Sequence, residues 1–165
     1  MSKKVPVLVL DTNVWVDDAL AFRPGHQAAS ILIYKARAHG VELAYGITSM
    51  KDVFYLVTLA CKRYLRDQGV AVSEGVARAC IDTAWDVTEK MTELATPIGA
   101  DLSDVWFARK LRNVHNDLED NFVVAAAERA DADYIVTSDQ GLLSNPHVRT
   151  MRAEDMLEHL RLLYE

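Results

Sequence analysis

Two short runs constrain the fold most. VPVLVL, residues 5–10, is apolar at every position and ends at Asp11; YIVT, residues 134–137, is a second buried run with Asp139 just beyond it. A strand with one wet face alternates apolar and polar residues. A strand without alternation must be covered on both faces, as in a parallel sheet between helices. Helical patterns fill the space between the runs. Residues 27–39 place Ala28, Ile31, Leu32 and Ala36 to one side, and Gly40 stops them. Residues 41–47 read as a second strand. Ser49 then reads as the N-cap of a helix carrying Val53, Phe54, Val57 and Ala60. After Gly69, residues 73–94 form a further helix and so an αα-hairpin. Residues 96–98 read as a short strand, 103–113 as a helix, 148–151 as an edge strand and 154–163 as a closing helix. The alternation predicts an α/β fold with a mainly parallel sheet. A chain of 165 residues suits one domain, residues 1–165, whose core removes roughly 70% of the surface from water.

Composition narrows the functional classes. Cys61 and Cys80 are the two cysteines, which gives neither a disulfide framework nor zinc-finger spacing and suits a reducing, cytoplasmic setting. The basic start is followed by too short an apolar run for a signal peptide, and nothing reaches transmembrane length. The formal net charge of −6 does not advertise nucleic-acid binding, unless bound cations neutralise some of the acids.

The acids are placed in a pattern. Asp11 and Asp139 both follow buried strands, and ligands of open parallel sheets bind at the carboxyl ends of strands. In VHNDLEDNFVVAAA, residues 114–127, Asn116 and Glu119 form a capping-box pattern that makes Asp117 the first helical residue. Asp117 and Asp120 are then three apart on one helix face, with Glu119 pointing elsewhere as a structural acid. Asp52 falls at the third position of the helix after Ser49. Singly, each acid has an ordinary role: Asp11 as an Asx turn or a cap, Asp52 as a partner of the helix dipole. Gathered on one rim, they would repel one another and shift their pKa values. A hard divalent cation relieves that repulsion, and an all-oxygen set suits Mg2+ or Mn2+. The five histidines are scattered; His115 alone stands beside the cluster.

These residues resemble those of the PIN-domain nucleases. LDTNVW, residues 10–15, is similar to the opening strand and first metal-binding aspartate of that family, here Asp11. TSMKDVFYLV, residues 48–57, resembles the segment of the second acid, here Asp52, where many members carry glutamate. NDLEDNFVVAAAERADADYIVTSD, residues 116–139, is similar to the most recognisable block, with its acids at Asp120 and Asp139 and a subgroup's additional acid at Asp117. The resemblance implies a three-layer fold with a five-stranded parallel sheet between helices. It also implies a metal-dependent ribonuclease, the VapC-like toxin of a bacterial toxin–antitoxin pair, dimeric and silenced by an antitoxin.

On this reading Asp11, Asp120 and Asp139 hold one Mg2+ or Mn2+, and Asp52 and Asp117 complete the site or hold a second ion. Thr12, Asn13 and Ser138 are placed to orient water or carboxylates. Lys51, Arg109, Lys110 and Arg112 could line an RNA path. Two other classes compete. A Mg2+-dependent phosphatase of the haloacid-dehalogenase type needs a second aspartate where Asn13 stands, and a receiver domain needs its acids elsewhere. A catalytically silent binding subunit would keep the acidic rim without turnover.

Overall fold

The structure is a computed structural model describing residues 5–165; residues 1–4, part of the start weighed above as a signal peptide, lie outside the described residues. Strands β1 (Val7–Leu10), β2 (Glu42–Gly46), β3 (Thr96–Ile98), β4 (Tyr134–Val136) and β5 (Thr150–Met151) form one sheet. Their order is β3-β2-β1-β4-β5, and every pairing is parallel. From the central β1 the chain builds outward through β2 and β3, then crosses back to lay β4 and β5 on the other side. The order therefore reverses between β1 and β4, where the carboxyl ends of an open sheet part to make a crevice.

The runs lacking alternation do bury both faces. Leu8, Leu10, Leu43 and Tyr45 enter one core with Trp15, Val53, Val57, Met91 and Met156. That core is covered by α1 (Thr12–Ala19), α2 (His26–Ala38), α3 (Ile47–Asp67), α4 (Glu74–Leu94) and, at the chain's end, α8 (Ala153–Tyr164). Val9, Ala44 and Ile135 point the other way, to a second core with Val123, Val124, Ala127 and Leu142. There the cover is α6 (Leu118–Arg129) and α7 (Gln140–Leu143), with α5 (Leu102–Lys110) outside α6. The alanines of α6 let it lie close on the sheet. A Cβ at Gly46 would stand 3.2 Å from Ala126 Cβ, so both positions must stay small.

Four local expectations change. Asp11 starts an unforeseen helix, α1, by accepting a hydrogen bond from Thr12 N at 2.7 Å. In this helix Asp18 is buried and held by Lys90 Nζ and Ser30 Oγ, each at 2.8 Å. Ser49 is not a cap: α3 starts at Ile47 directly from β2, with Gly46 as N-cap and Ser49 buried. Asp52 therefore sits in the second turn, not the first. Asn116 is not a cap either, because Asp117 accepts from Asp120 N at 3.1 Å and α6 begins at Leu118. Last, Asp139, placed above only as an acid beyond a strand, starts a short helix, which it caps by accepting from Leu142 N at 2.9 Å. The αα-hairpin of α3 and α4 forms as the pattern indicated, with Gly69 turning at φ 77°. Among the described residues, no helix is long and apolar enough to cross a membrane.

Candidate active site

The site grows from the ends of β1 and β4. Asp11 N donates to Val136 O at 3.0 Å, which continues the strand pairing to the rim. The Asp11 carboxylate is buried and fully engaged: Oδ1 accepts from Thr12 N, and Oδ2 accepts from Asn13 Nδ2 and Thr137 Oγ1, both at 2.7 Å. Burial pushes its pKa from 3.8 to about 6. The hydrogen bonds from Thr137 and Thr12 oppose that rise, and the charges of Asp120 and Asp139 add to it.

Thr137 is the hub that sequence reasoning missed. Its buried hydroxyl also accepts from Asn13 Nδ2 at 3.2 Å and from Asp139 N at 2.9 Å, so one side chain joins three members of the rim. Ser138, expected in that role, contributes its backbone N to Asn13 Oδ1 at 3.0 Å while the residue is exposed. The available signal was the placement of Thr137 at the last position of a strand run, where a polar side chain has to face the rim.

Asp120 projects from the first turn of α6. Burial raises its pKa; His115 lowers it, and Asp139 and Asp117 raise it further. His115 Nε2 lies 2.6 Å from Asp120 Oδ2. One ligand atom from each of His115, Asp120 and Asp139 lies within 4.8 Å of the others. The structure thus brings Asp120 and Asp139 together with a histidine, and sets Asp11 beside them, outside that cluster but near enough for both charges to raise its pKa.

The remaining acids divide differently from the expectation. Glu119 does not complete a cap. Its pKa is raised, first by desolvation, then by Asp52, Asp11 and Asp117, and is held down by the neighbouring Thr12 hydroxyl. Glu119 therefore faces the acidic rim, which the assumed capping box concealed. Asp52 is its neighbour and is paired with Lys51 Nζ at 2.8 Å. Asp117 is exposed, and its Oδ1 holds the α6 terminus.

These residues suit a divalent cation. The donors are chiefly hard carboxylate oxygens, and three of the acids have raised pKa values. A cation would relieve mutual repulsion that the protein's own groups leave standing.

Beside the rim, an open groove of about 500 Å³ starts at Asn13 and runs between the α1–α2 connection and α3. Phe22, Leu56, Leu59 and Tyr64 give it an apolar lining with Arg23 and Arg63 among them, and the rings of Phe22 and Tyr64 stack at 4.1 Å.

A family model for the PIN domain matches residues 7–141. Among solved structures, VapBC2 from Rickettsia felis, bound to a DNA fragment from its promoter, matches with a TM-score of 0.56 at 12% identity, over 88% of this chain and 98% of that one. VapC20 from Mycobacterium tuberculosis, a toxin that cleaves the sarcin–ricin loop, matches with a TM-score of 0.57 at 12% identity, over 86% and 98%. A toxin–antitoxin complex from Klebsiella pneumoniae matches with a TM-score of 0.50 at 15% identity, over 88% and 97%. No curated protein sequence gives a significant match. At these identities the structural likeness speaks for the shared fold.

Proposed function

The chain belongs to the PIN-domain family, and from that premise we propose that it is a divalent-metal-dependent endoribonuclease, the toxin of a toxin–antitoxin pair. The observation that supports the proposal is the gathering of Asp120 and Asp139 at the reversal point of the sheet, beside a buried Asp11 whose pKa their charges help to raise to about 6. Asp11, Asp120 and Asp139 would hold the ion, with Glu119 and Asp52 one step outward along α6 and α3. Asp117 is better used as a helix cap.

A bound Mg2+ or Mn2+ supplies a water of lowered pKa and charge stabilisation at the phosphate. The protein's own residues do the positioning. Asn13, Thr12 N and Thr137 fix the Asp11 carboxylate, so little reorganisation is needed when charge arrives. Thr137 ties Asp139 to the same frame. Arg109, Lys110 and Arg112 are exposed on the segment leading into His115, which suits contact with RNA phosphates. Trp106 lies beneath Lys110, whose Nζ is 3.8 Å from the ring centroid.

The apolar groove beside Asn13 supports the toxin reading. Phe22, Leu56, Leu59 and Tyr64 suit a protein segment better than they suit phosphates. An antitoxin lying there would reach the rim of the acidic cluster.

The test is RNA cleavage with Mg2+ or Mn2+, with and without chelator, by wild type, Asp11→Asn and Asp120→Asn. We expect metal-dependent cleavage by wild type alone. Cleavage that persists in chelator, or in both variants, overturns the mechanism.

A further inference from the structure

We propose that His115 is a nitrogen ligand of the metal site and makes that site prefer Mn2+ over Mg2+. This rests on the nuclease reading only for the presence of an ion at the rim.

Three observations carry it. First, the imidazole is inside the cluster: His115 Nε2 is 2.6 Å from Asp120 Oδ2, and with an Asp139 oxygen the three ligand atoms lie within 4.8 Å of one another. Two ligands of a single ion, each about 2.1 Å from it, lie at most about 4.2 Å apart. Small side-chain rotations therefore close the set.

Second, the backbone holds the histidine in place. His115 N donates to Leu111 O at 2.9 Å, and His115 O accepts from Asn121 Nδ2 at 2.8 Å. Asn121 is buried in the same helix that carries Asp120.

Third, space is kept for the ring. A Cβ on Gly141 would collide with His115 Cε1 and stand 3.0 Å from Asp139 Oδ1. Gly141 has a negative φ, so its backbone conformation does not require glycine; the close approach of the imidazole does.

The chemistry of the donor sets the preference. Mg2+ takes oxygen ligands and keeps its waters, whereas imidazole suits first-row transition ions. A carboxylate site with one imidazole would still accept Mg2+ but would favour Mn2+ by more than an all-oxygen site.

The test uses the full-length metal-free protein and Mn2+ itself. Pulsed EPR of bound Mn2+ should show 14N coupling in wild type and none in His115→Asn. Calorimetry should show Mn2+ binding weakened about tenfold or more by the substitution, with Mg2+ binding changed less. Gly141→Ala, which retains the imidazole but displaces it, should also lose the coupling; circular dichroism checks that both variants fold. Bound Mn2+ without 14N coupling in wild type overturns the proposal, as does an unchanged ratio of Mn2+ to Mg2+ affinity in His115→Asn. So does a failure of the wild type to bind Mn2+. RNA cleavage measured in parallel separates the two readings. Cleavage without nitrogen coupling removes the ligand assignment alone, and nitrogen coupling without cleavage removes the nuclease alone.

Discussion

Replacing Asp11 with asparagine should stabilise the metal-free protein while destroying its site. Asp11 is 3% exposed, and its pKa rises from 3.8 to about 6 on folding. Because folded Asp11 binds its proton more tightly than unfolded Asp11 does, its contribution to stability is greatest below about pH 4. That contribution is lost as the pH rises through about 6. At about 1.4 kcal/mol per tenfold change in acidity, the charged form costs about 3 kcal/mol at neutral pH. The amide removes this cost but places an NH2 group where Oδ2 accepts from Asn13 and Thr137. Mispairing of that kind costs about 1–2 kcal/mol. The expected net gain at pH 7.5 is thus roughly 1–2 kcal/mol, or about 2–8 °C in Tm for a chain of this size. At pH 4.5 the gain should vanish or reverse. Urea unfolding in chelator at the two pH values measures the difference between variant and wild type directly. Saturating Mn2+ should then reverse the order at pH 7.5, since an ion that binds only the wild type stabilises only the wild type. A variant no more stable than wild type at pH 7.5 in chelator, with the same difference at pH 4.5, would refute the electrostatic reasoning.

Two further outcomes are expected away from the rim. Tyr45 is fully buried, and neither its hydroxyl nor Trp15 Nε1 has a hydrogen-bond partner among the described residues, although the rings pack edge to face at 5.9 Å. Tyr45→Phe should therefore leave stability unchanged or raise it by about 1 kcal/mol in chemical unfolding; a clear loss would reveal a partner for the hydroxyl. Lys90→Met should destabilise by about 1–3 kcal/mol, because it removes the cation that pairs with the buried Asp18 carboxylate. Adding Asp18→Asn should recover part of that loss, and a double variant no better than the single one would count against the pair.

The layers of the fold were legible because burial on both faces leaves a direct mark: a strand with no polar position and an acid at its end. Asp11 and Asp139 could be placed on one rim for the same reason. The helix termini were harder. Asn116 and Asp117 are both good caps, and local rules do not choose between neighbours. Choosing Asn116 put Asp117 in the helix and assigned Glu119 to a cap it does not make. At α3, Ser49 offered a cap in a segment where the chain passes from β2 into the helix with no loop. Thr137 left only the mark of a polar residue ending a strand run, and the role of His115 depended on tertiary structure. The histidine reaches the cluster only because α6 docks closely and residue 141 lacks a side chain, and neither condition is local to residue 115.

The hydroxyl of Thr137 also has a consequence for synthesis. It grips Asp11 across 126 residues of chain, between strands that are neighbours in the sheet but far apart in translation. A ribosome adding roughly 5–20 residues per second will have delivered most of the chain before the first aspartate meets its partner. Until β4 has left the exit tunnel and paired with β1, the acids belong to no common frame. A nascent or truncated chain ending before β4 would carry Asp11, Asp52 and Asp120 and still have no assembled centre. For the nuclease proposed above, strand order would act as a delay.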